Sequence, residues 1–281
     1  VRFHFVTLFP EMMESALSYG VVGQAIKKGL LTVATTNPRD FSSGVHKAVD
    51  DRPFGGGDGM IFLPEILGAA IAHAESQENL SQEAAPAVRK IYLSARGAVF
   101  NEAKARELAQ EPRLILVCGR YGGIDERVRA ACDLEELSVG DFILSGGELA
   151  ALSVTDAIAR HCPGVLGNQV SAQEESFSNG LLEHPQFTRP REWRDMSVPD
   201  VLMSGNHAQI NEWKQNLALL VTAQNRADLL KMALLSPSRA QAALQLLSSM
   251  SLSDQKACGL FKLELIKERL EQILIQNRGP A

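Results

Sequence analysis

Bulky and β-branched residues alternate with polar ones over VRFHFVTLF (1–9), the period of a strand laid on a core. FPEMMESALSYG then reads as strand exit, helix and stop, with Pro10 suited to a first turn and Glu11 and Glu14 to a helix start. VVGQAIKKGLL (21–31) predicts a short helix with Lys27 and Lys28 near its end and Gly29 as its cap. Residues 36–60 show no regular period. A connection that long is functional or disordered, and Phe41, His46, Arg52 and Phe54 are unlike a disordered linker.

Helical spacing returns over 63–76 and 101–110. Between and after them come strand patterns at KIYLS (90–94) and at the almost wholly apolar RLILVC (113–118), the signature of a parallel strand covered on both faces. GGIDERVRAAC (122–132) predicts a helix with Asp125 and Glu126 in its first turn, LSVGDFILS (137–145) a strand, and GGELAALSVTDAIARHCPG (146–164) a helix stopped by Pro163 and Gly164. This alternation predicts an α/β domain with a mostly parallel sheet. The polar stretch 166–180 breaks the pattern, and 210–235 and 255–275 look helical. The predicted organisation is a domain over 1–166, a flexible linker over 167–182 and a mostly helical domain over 183–281.

Composition alters this picture little. The 281 residues are 45% hydrophobic and 22% charged, ordinary for a globular chain able to bury a core. A net charge of −5 argues against a general nucleic-acid coat protein but leaves room for a local basic groove. Cys118, Cys132, Cys162 and Cys258 match neither a disulfide scaffold nor a zinc site, which fits a reducing compartment. Neither a signal-peptide pattern nor a membrane-length apolar run is seen, so a cytoplasmic protein without a membrane span is expected.

Three glycine clusters carry the chemistry: FGGGDGM (54–60), CGRYGGIDER (118–127) and VGDFILSGGE (139–148). In an open α/β sheet, ligands bind beyond the carboxyl ends of strands, and glycine lets backbone approach them closely. None of the clusters is a phosphate loop: GxxxxGK[ST] is absent, and no GxGxxG follows the first strand. An adenine-ribose ligand gripped by backbone groups suits them better than ATP or a dinucleotide.

At these loops the chain resembles the bacterial tRNA (guanine-N1)-methyltransferases, which modify the guanine just 3′ of the anticodon. The resemblance runs through TLFPEM (7–12), NPRDF (37–41), DDRPFGGGDGM (50–60), IYLS (91–94), LILVCGRYGGIDER (114–127), SVGDFILSGGELA (138–150), PGVLGN (163–168), SFSNGLLEHPQFTRP (176–190) and VPDVLMSGNHAQINEW (198–213). It implies a trefoil-knotted α/β domain that binds S-adenosylmethionine, a homodimer with each active site built across the interface, a helical domain gripping the tRNA anticodon stem-loop, and magnesium associated with catalysis. Carried over by position, the cofactor pocket would involve Tyr92, Leu93, Ser94, Gly119, Arg120, Tyr121, Val139, Gly140, Phe142, Leu144, Gly146 and Gly147. Arg160 would be the cationic catalytic residue and Glu175 the general base.

Two positions depart from the family pattern. Glu175 replaces an aspartate, with Glu174 beside it as the alternative base, and Gly122 replaces a glutamate. RNA contacts would come from Arg39, His46, Lys47, Arg52, Arg189, Asn206, His207 and Lys214, with arginine and lysine meeting phosphates. Trp213 could stack on a base or pack in a core, and Asp51 and Arg52 could shape the pocket or the interface. Two other readings stand beside this one: a knotted methyltransferase acting at another RNA position, and a non-catalytic RNA-binding protein, for which Gly122 speaks. The metal ligands and the role of the last 35 or so residues are not legible.

Overall fold

The structure is a computed structural model that describes residues 1–79, 87–167, 175–232 and 235–276. The chain divides into two compact units, Val1–Gln169 and Val170–Ala281.

The first unit is built on a parallel sheet of five strands, β1 (Arg2–Val6), β2 (Thr32–Thr36), β5 (Arg89–Val99), β6 (Arg113–Cys118) and β7 (Glu135–Ser138), in the order β2-β1-β6-β5-β7, while β3 (Asp50–Asp51) and β4 (Ile61–Phe62) form a separate short antiparallel pair. The strand period of two sorts the side chains. Phe3, Phe5, Leu114 and Leu116 face one layer. It is covered by α1 (Pro10–Leu17), α2 (Gly20–Lys27), α4 (Glu102–Leu108) and α6 (Glu148–Ala159), which contribute Met13, Val22, Leu108, Val154 and Ile158. Val6, Ile115 and Val117 face the other layer, against Leu67, Ile71 and Ala74 of α3 (Pro64–Asn79) and Val128 of α5 (Glu126–Ala131). Every residue of β6 is buried, which accounts for the apolar run that follows Arg113. Burying each such Leu, Ile or Val contributes roughly 1.5–3 kcal/mol.

One polar cluster interrupts the second layer. His4 Nδ1 lies 2.9 Å from Glu78 Oε1 and its Nε2 lies 2.7 Å from Thr36 Oγ1. Arg2 Nε also donates to Glu78 Oε1, at 2.8 Å. These contacts, centred on one oxygen of the buried Glu78 carboxylate, tie the end of α3 to β1 and β2, while its Oε2 is buried without a hydrogen-bond partner among the described residues. Desolvation pushes the His4 imidazole below its ordinary range, even though Glu78 pulls the other way.

The strand expected over 137–145 is shorter. β7 stops at Ser138, and its continuation lacks a pairing strand. Phe142 is 55% and Ile143 84% exposed, so the apolar residues that suggested a strand are on a surface loop. Conversely β5 extends past the expected 90–94, because its register with β7 slips between Leu93 and Ala98 and then resumes. The expected helix over 146–164 ends at Ala159, ahead of Pro163 and Gly164, with Arg160 as its C-cap.

The second unit is mostly helical: α7 (His207–Asn225), α8 (Ala227–Met232), α9 (Pro237–Ser249), α10 (Leu252–Ala257) and α11 (Leu263–Gln276), preceded by a small hairpin of β8 (Glu192–Trp193) and β9 (Met196–Ser197). Trp213, Leu217 and Leu220 of α7, Ala243 and Leu247 of α9 and Ile266 and Leu270 of α11 share one core. The expected helices over 210–235 and 255–275 are therefore broken, at Arg226 and again by Gly259, and α9 stands outside both. Its start signal was present in the sequence: Ser236 accepts from the Arg239 amide, and Pro237 occupies the first turn. Gln224 anchors the segment after α10. Its side-chain oxygen accepts from the amides of Phe261 (2.7 Å) and Lys262 (3.0 Å), and its Nε2 donates to the Gly259 carbonyl (2.9 Å). Arg269 caps the end of α7 by donating to the carbonyls of Ala223 (2.6 Å) and Gln224 (3.2 Å). Among the described residues, no helix is long and apolar enough to cross a membrane.

Candidate functional site

Because β5, β6 and β7 are parallel and adjacent, their carboxyl ends open at one edge of the sheet. The slipped part of β5 from Ser94 and the segments leaving β6 and β7 from Gly119 and Val139 line a cavity of about 1370 Å³. That exceeds the usual small-molecule pocket of roughly 300–1,000 Å³. Tyr92, Leu93, Ser94, Gly119, Arg120, Tyr121, Val139, Gly140, Phe142, Leu144, Gly146 and Gly147 all line it. So do Asp51, Arg52 and Phe54 from the long second connection, and Gly122.

Main-chain contacts hold the loops against one another. The Gly147 amide donates to the Gly119 carbonyl at 2.8 Å, and Arg120 pairs with Gly146 in an antiparallel bridge. A Cβ on Gly147 would stand 2.8 Å from the Cα of Cys118, so only glycine lets α6 start this close to the end of β6. The Gly122 amide donates to the Met60 carbonyl at 2.7 Å, and a Cβ there would meet that same oxygen at 3.0 Å. Gly122, where the resemblance implies a glutamate, thus stands at a close approach of the 119–123 loop to residue 60.

Beneath the loops lies a polar clamp that the sequence reading missed. Glu148, fully buried at the start of α6, accepts from Thr7 Oγ1 at 2.9 Å and lies 3.1 Å from Arg120 Nε. The Arg120 guanidinium packs 4.4 Å over the Phe9 ring and donates to the Ser145 carbonyl at 3.2 Å. Thr7, Phe9, Arg120 and Glu148 all fall in the quoted motifs, but only the fold shows that they meet.

The titratable groups at the site divide by role. Burial pushes the Cys118 thiol well up, aided by the Glu148 charge, so it is no nucleophile. The Arg127 guanidinium and amide hold Asp125 down at about 2, and a carboxylate so weakly basic is a poor proton acceptor. At the rim, Arg96 donates to Glu126 (2.9 Å) and Glu136 (3.1 Å) and holds the Glu126 carboxyl below the usual range. Arg96 sits on the slipped segment of β5, which the pattern reading did not single out.

The remaining candidates lie elsewhere. Arg160 is half-buried, its amide donating to the Asp156 carbonyl at 3.3 Å, and is not among the residues lining the cavity. Its neighbour His161 sets Nε2 3.0 Å from Glu102 Oε1. Glu175 belongs to the second unit, where its carbonyl accepts from the Ser178 amide, and Glu174 lies outside the described residues. Arg39 donates to the Lys47 carbonyl at 3.3 Å, and His46 and Lys47 are exposed on the same connection as Arg52, which alone of the RNA-contact candidates lines the cavity. In the second unit Arg189 and His207 are exposed and Lys214 is half-buried. Asn206 caps α7 by accepting from the Gln209 amide at 3.2 Å, and Trp213 is in the core. Among the described residues, no group of three or more His, Cys, Asp or Glu converges as a metal-ligand set.

This arrangement has close relatives. The family model for tRNA (guanine-1)-methyltransferase TrmD matches residues 1–232. A tRNA (guanine-N(1)-)-methyltransferase of Geobacter metallireducens is 47% identical over 235 residues, covering 84% of this chain and 93% of its own. Proteins of the same name from Hahella chejuensis (48% over 242 residues, 86% and 91% of the two chains) and Caldanaerobacter subterraneus (50% over 231 residues, 82% and 92%) are similarly close. With a matched model over most of its length and relatives near half identity along nearly their whole chains, the protein belongs to the tRNA (guanine-1)-methyltransferase family.

Proposed function

We propose that this enzyme transfers a methyl group from S-adenosylmethionine to N1 of the guanine 3′ of the anticodon in tRNA, working as a homodimer. The observation that carries the reading is the meeting of the glycine-bearing loops at 119–123 and 139–147, with Phe54 of the first cluster, at one cavity in a chain of this family. The cofactor fits the cavity's chemistry. Residues 119–123, 139–140 and 142–147, many of them glycines, line a space large enough for an adenosine and more, and no Walker-type lysine loop competes for phosphate. When bound, S-adenosylmethionine supplies an electrophilic methyl on a sulfonium.

The chain's own residues must then handle guanine. N1 carries a proton that has to leave, and negative charge on O6 has to be stabilised as it grows. Glu175 accepts the proton, and the Arg160 guanidinium faces O6. The target base is read unstacked, which costs least in a single-stranded loop. Asp125 and Cys118 are unsuited to these tasks for the reasons above.

Dimerisation has two supports. Arg160 is outside the lining of its own chain's cavity, as expected if it serves the partner's. Phe54, Phe142 and Ile143 leave an apolar rim exposed at the cavity that a second copy would cover. The trefoil knot belongs to the same proposal and rests on membership of the family. Residues 1–166 form the cofactor-binding domain, 167–182 the linker and 183–281 the tRNA-binding domain. Magnesium keeps several waters and takes few protein ligands. The described residues offer no converging carboxylate set for it, and no step here runs through a metal.

Transcripts carrying guanine or adenine at the target position test the reading. Guanine transcripts, best with a second guanine on the 5′ side, should be methylated and adenine ones not. Equal rates on both would overturn it.

A further inference from the structure

The second unit carries a small exposed device that the site above does not use. The chain has two tryptophans. Trp213 is buried in a core, whereas Trp193 is 56% exposed on β8. The guanidinium of Arg194 lies 4.5 Å over the Trp193 ring, and more than half of the residue stays exposed. The two residues head a two-residue hairpin turn, in which Trp193 is paired with Met196. Both central residues of that turn are left-handed, Arg194 at φ 54° and Asp195 at φ 59°. Such turns favour Asn-Gly or Gly-Gly. An arginine kept where glycine would be less strained points to use of its side chain.

The segment around the hairpin mixes arginines with an equal number of acids. Arg189, Arg191 and Arg194 stand against Glu192, Asp195 and Asp200. All of these are exposed, and Arg191 spends part of its charge on Asp200 at 3.1 Å. An exposed indole beside a guanidinium with free in-plane donors matches a nucleotide: the base stacks on the ring while the guanidinium takes a phosphate oxygen. An acidic or purely apolar partner would use only one half of the pair.

We infer that the β8–β9 hairpin is an RNA-binding site in which Trp193 stacks on an unpaired base of the substrate and Arg194 contacts the adjoining phosphate. This rests on the tRNA reading above and adds a contact that the sequence motifs did not suggest. Two variants separate its parts. Trp193→Ala removes the stacking face, and Trp193→Phe keeps one.

The experiment titrates the full-length protein with a synthetic anticodon stem-loop RNA, following binding and tryptophan fluorescence. Trp193→Ala should weaken RNA binding roughly 5- to 150-fold, the range expected for one stacked base. Trp193→Phe should stay within about threefold of the parent by keeping a ring on which a base can stack. RNA should quench the parent's fluorescence more than that of Trp193→Phe. Arg194→Ala should flatten the salt dependence of binding by about one counterion. Affinity for S-adenosylmethionine, measured by calorimetry, should be the same in all. If the parent binds and methylates the RNA while Trp193→Ala binds it equally well, the hairpin assignment is wrong and the enzyme reading stands. If the parent neither binds nor methylates it, both fall. If Trp193 responds to phosphatidylglycerol vesicles and not to RNA, the hairpin is a lipid contact and the inference is overturned.

Discussion

Arg120 Nε lies 3.1 Å from Glu148 Oε2, a cation from the loop after β6 set against a carboxylate at the start of α6. The two atoms are close without hydrogen-bond alignment, and the second Glu148 oxygen is occupied by Thr7. The pair therefore joins both cofactor loops to the end of β1. Its members differ in burial: the Glu148 side chain is 1% exposed and that of Arg120 21%.

That asymmetry makes a prediction. Arg120→Met leaves a buried carboxylate without its cation and should cost about 3–5 kcal/mol of stability. Glu148→Gln leaves an arginine that can turn toward water and should cost clearly less. Urea denaturation of both variants checks the order. An equal loss in the two would show that burial of the acid does not govern this clamp.

A second expectation concerns pH. An unfolded histidine titrates near 6.5, whereas burial beside Arg2 and His73 holds native His4 lower despite its contact with Glu78. Below 6.5 the unfolded chain takes a proton that native His4 refuses. This contribution to stability is fully present above the unfolded value and is lost as pH falls toward the native one. The Tm should fall between pH 7.5 and 5.5, and His4→Gln should show a shallower fall. Parallel slopes in the parent and variant would assign the effect to other groups.

The first unit was legible where burial and period coincide. RLILVC could only be a strand covered on both sides, and it is the centre of the sheet. The loop at 139–147 was misread because Phe142 and Ile143 are apolar for a reason other than the core of their own chain. Helix α9 was missed because its apolar face is narrow, although Ser236 and Pro237 announced it. The twelve cofactor candidates came from motif positions, and their shared cavity depends on strand order, which no local pattern encodes. The Arg120–Glu148–Thr7 clamp was invisible for the same reason, since 141 residues separate Thr7 from Glu148.

A third prediction addresses the segment beyond the family match at residue 232. Gln224 satisfies three main-chain groups of residues 259–262. Gln224→Leu would leave them unpaired at a cost of about 2 kcal/mol or more. Limited proteolysis should then cut earlier within 235–276 than in the parent, with S-adenosylmethionine binding retained. Unchanged cleavage would mean that the segment holds without this anchor.

The assignment of catalytic roles makes a fourth. Glu175→Gln should lower the single-turnover methyl-transfer rate by roughly 10²-fold or more, the scale for losing a general base. Glu174→Gln should be mild. Arg160→Ala should reduce the rate by a similar factor through loss of charge stabilisation at O6. Cofactor affinity should change little in all three. A near-full rate for Glu175→Gln alongside a lost rate for Glu174→Gln would move the base by one residue.

The most direct measurement is to incubate the purified protein with methyl-labelled S-adenosylmethionine and an unmodified tRNA transcript bearing guanine 3′ of the anticodon, digest the RNA and identify the labelled nucleoside. The predicted result is N1-methylguanosine at that single position. Label in any other nucleoside or position, or no transfer by a folded protein that binds the cofactor, would contradict the account.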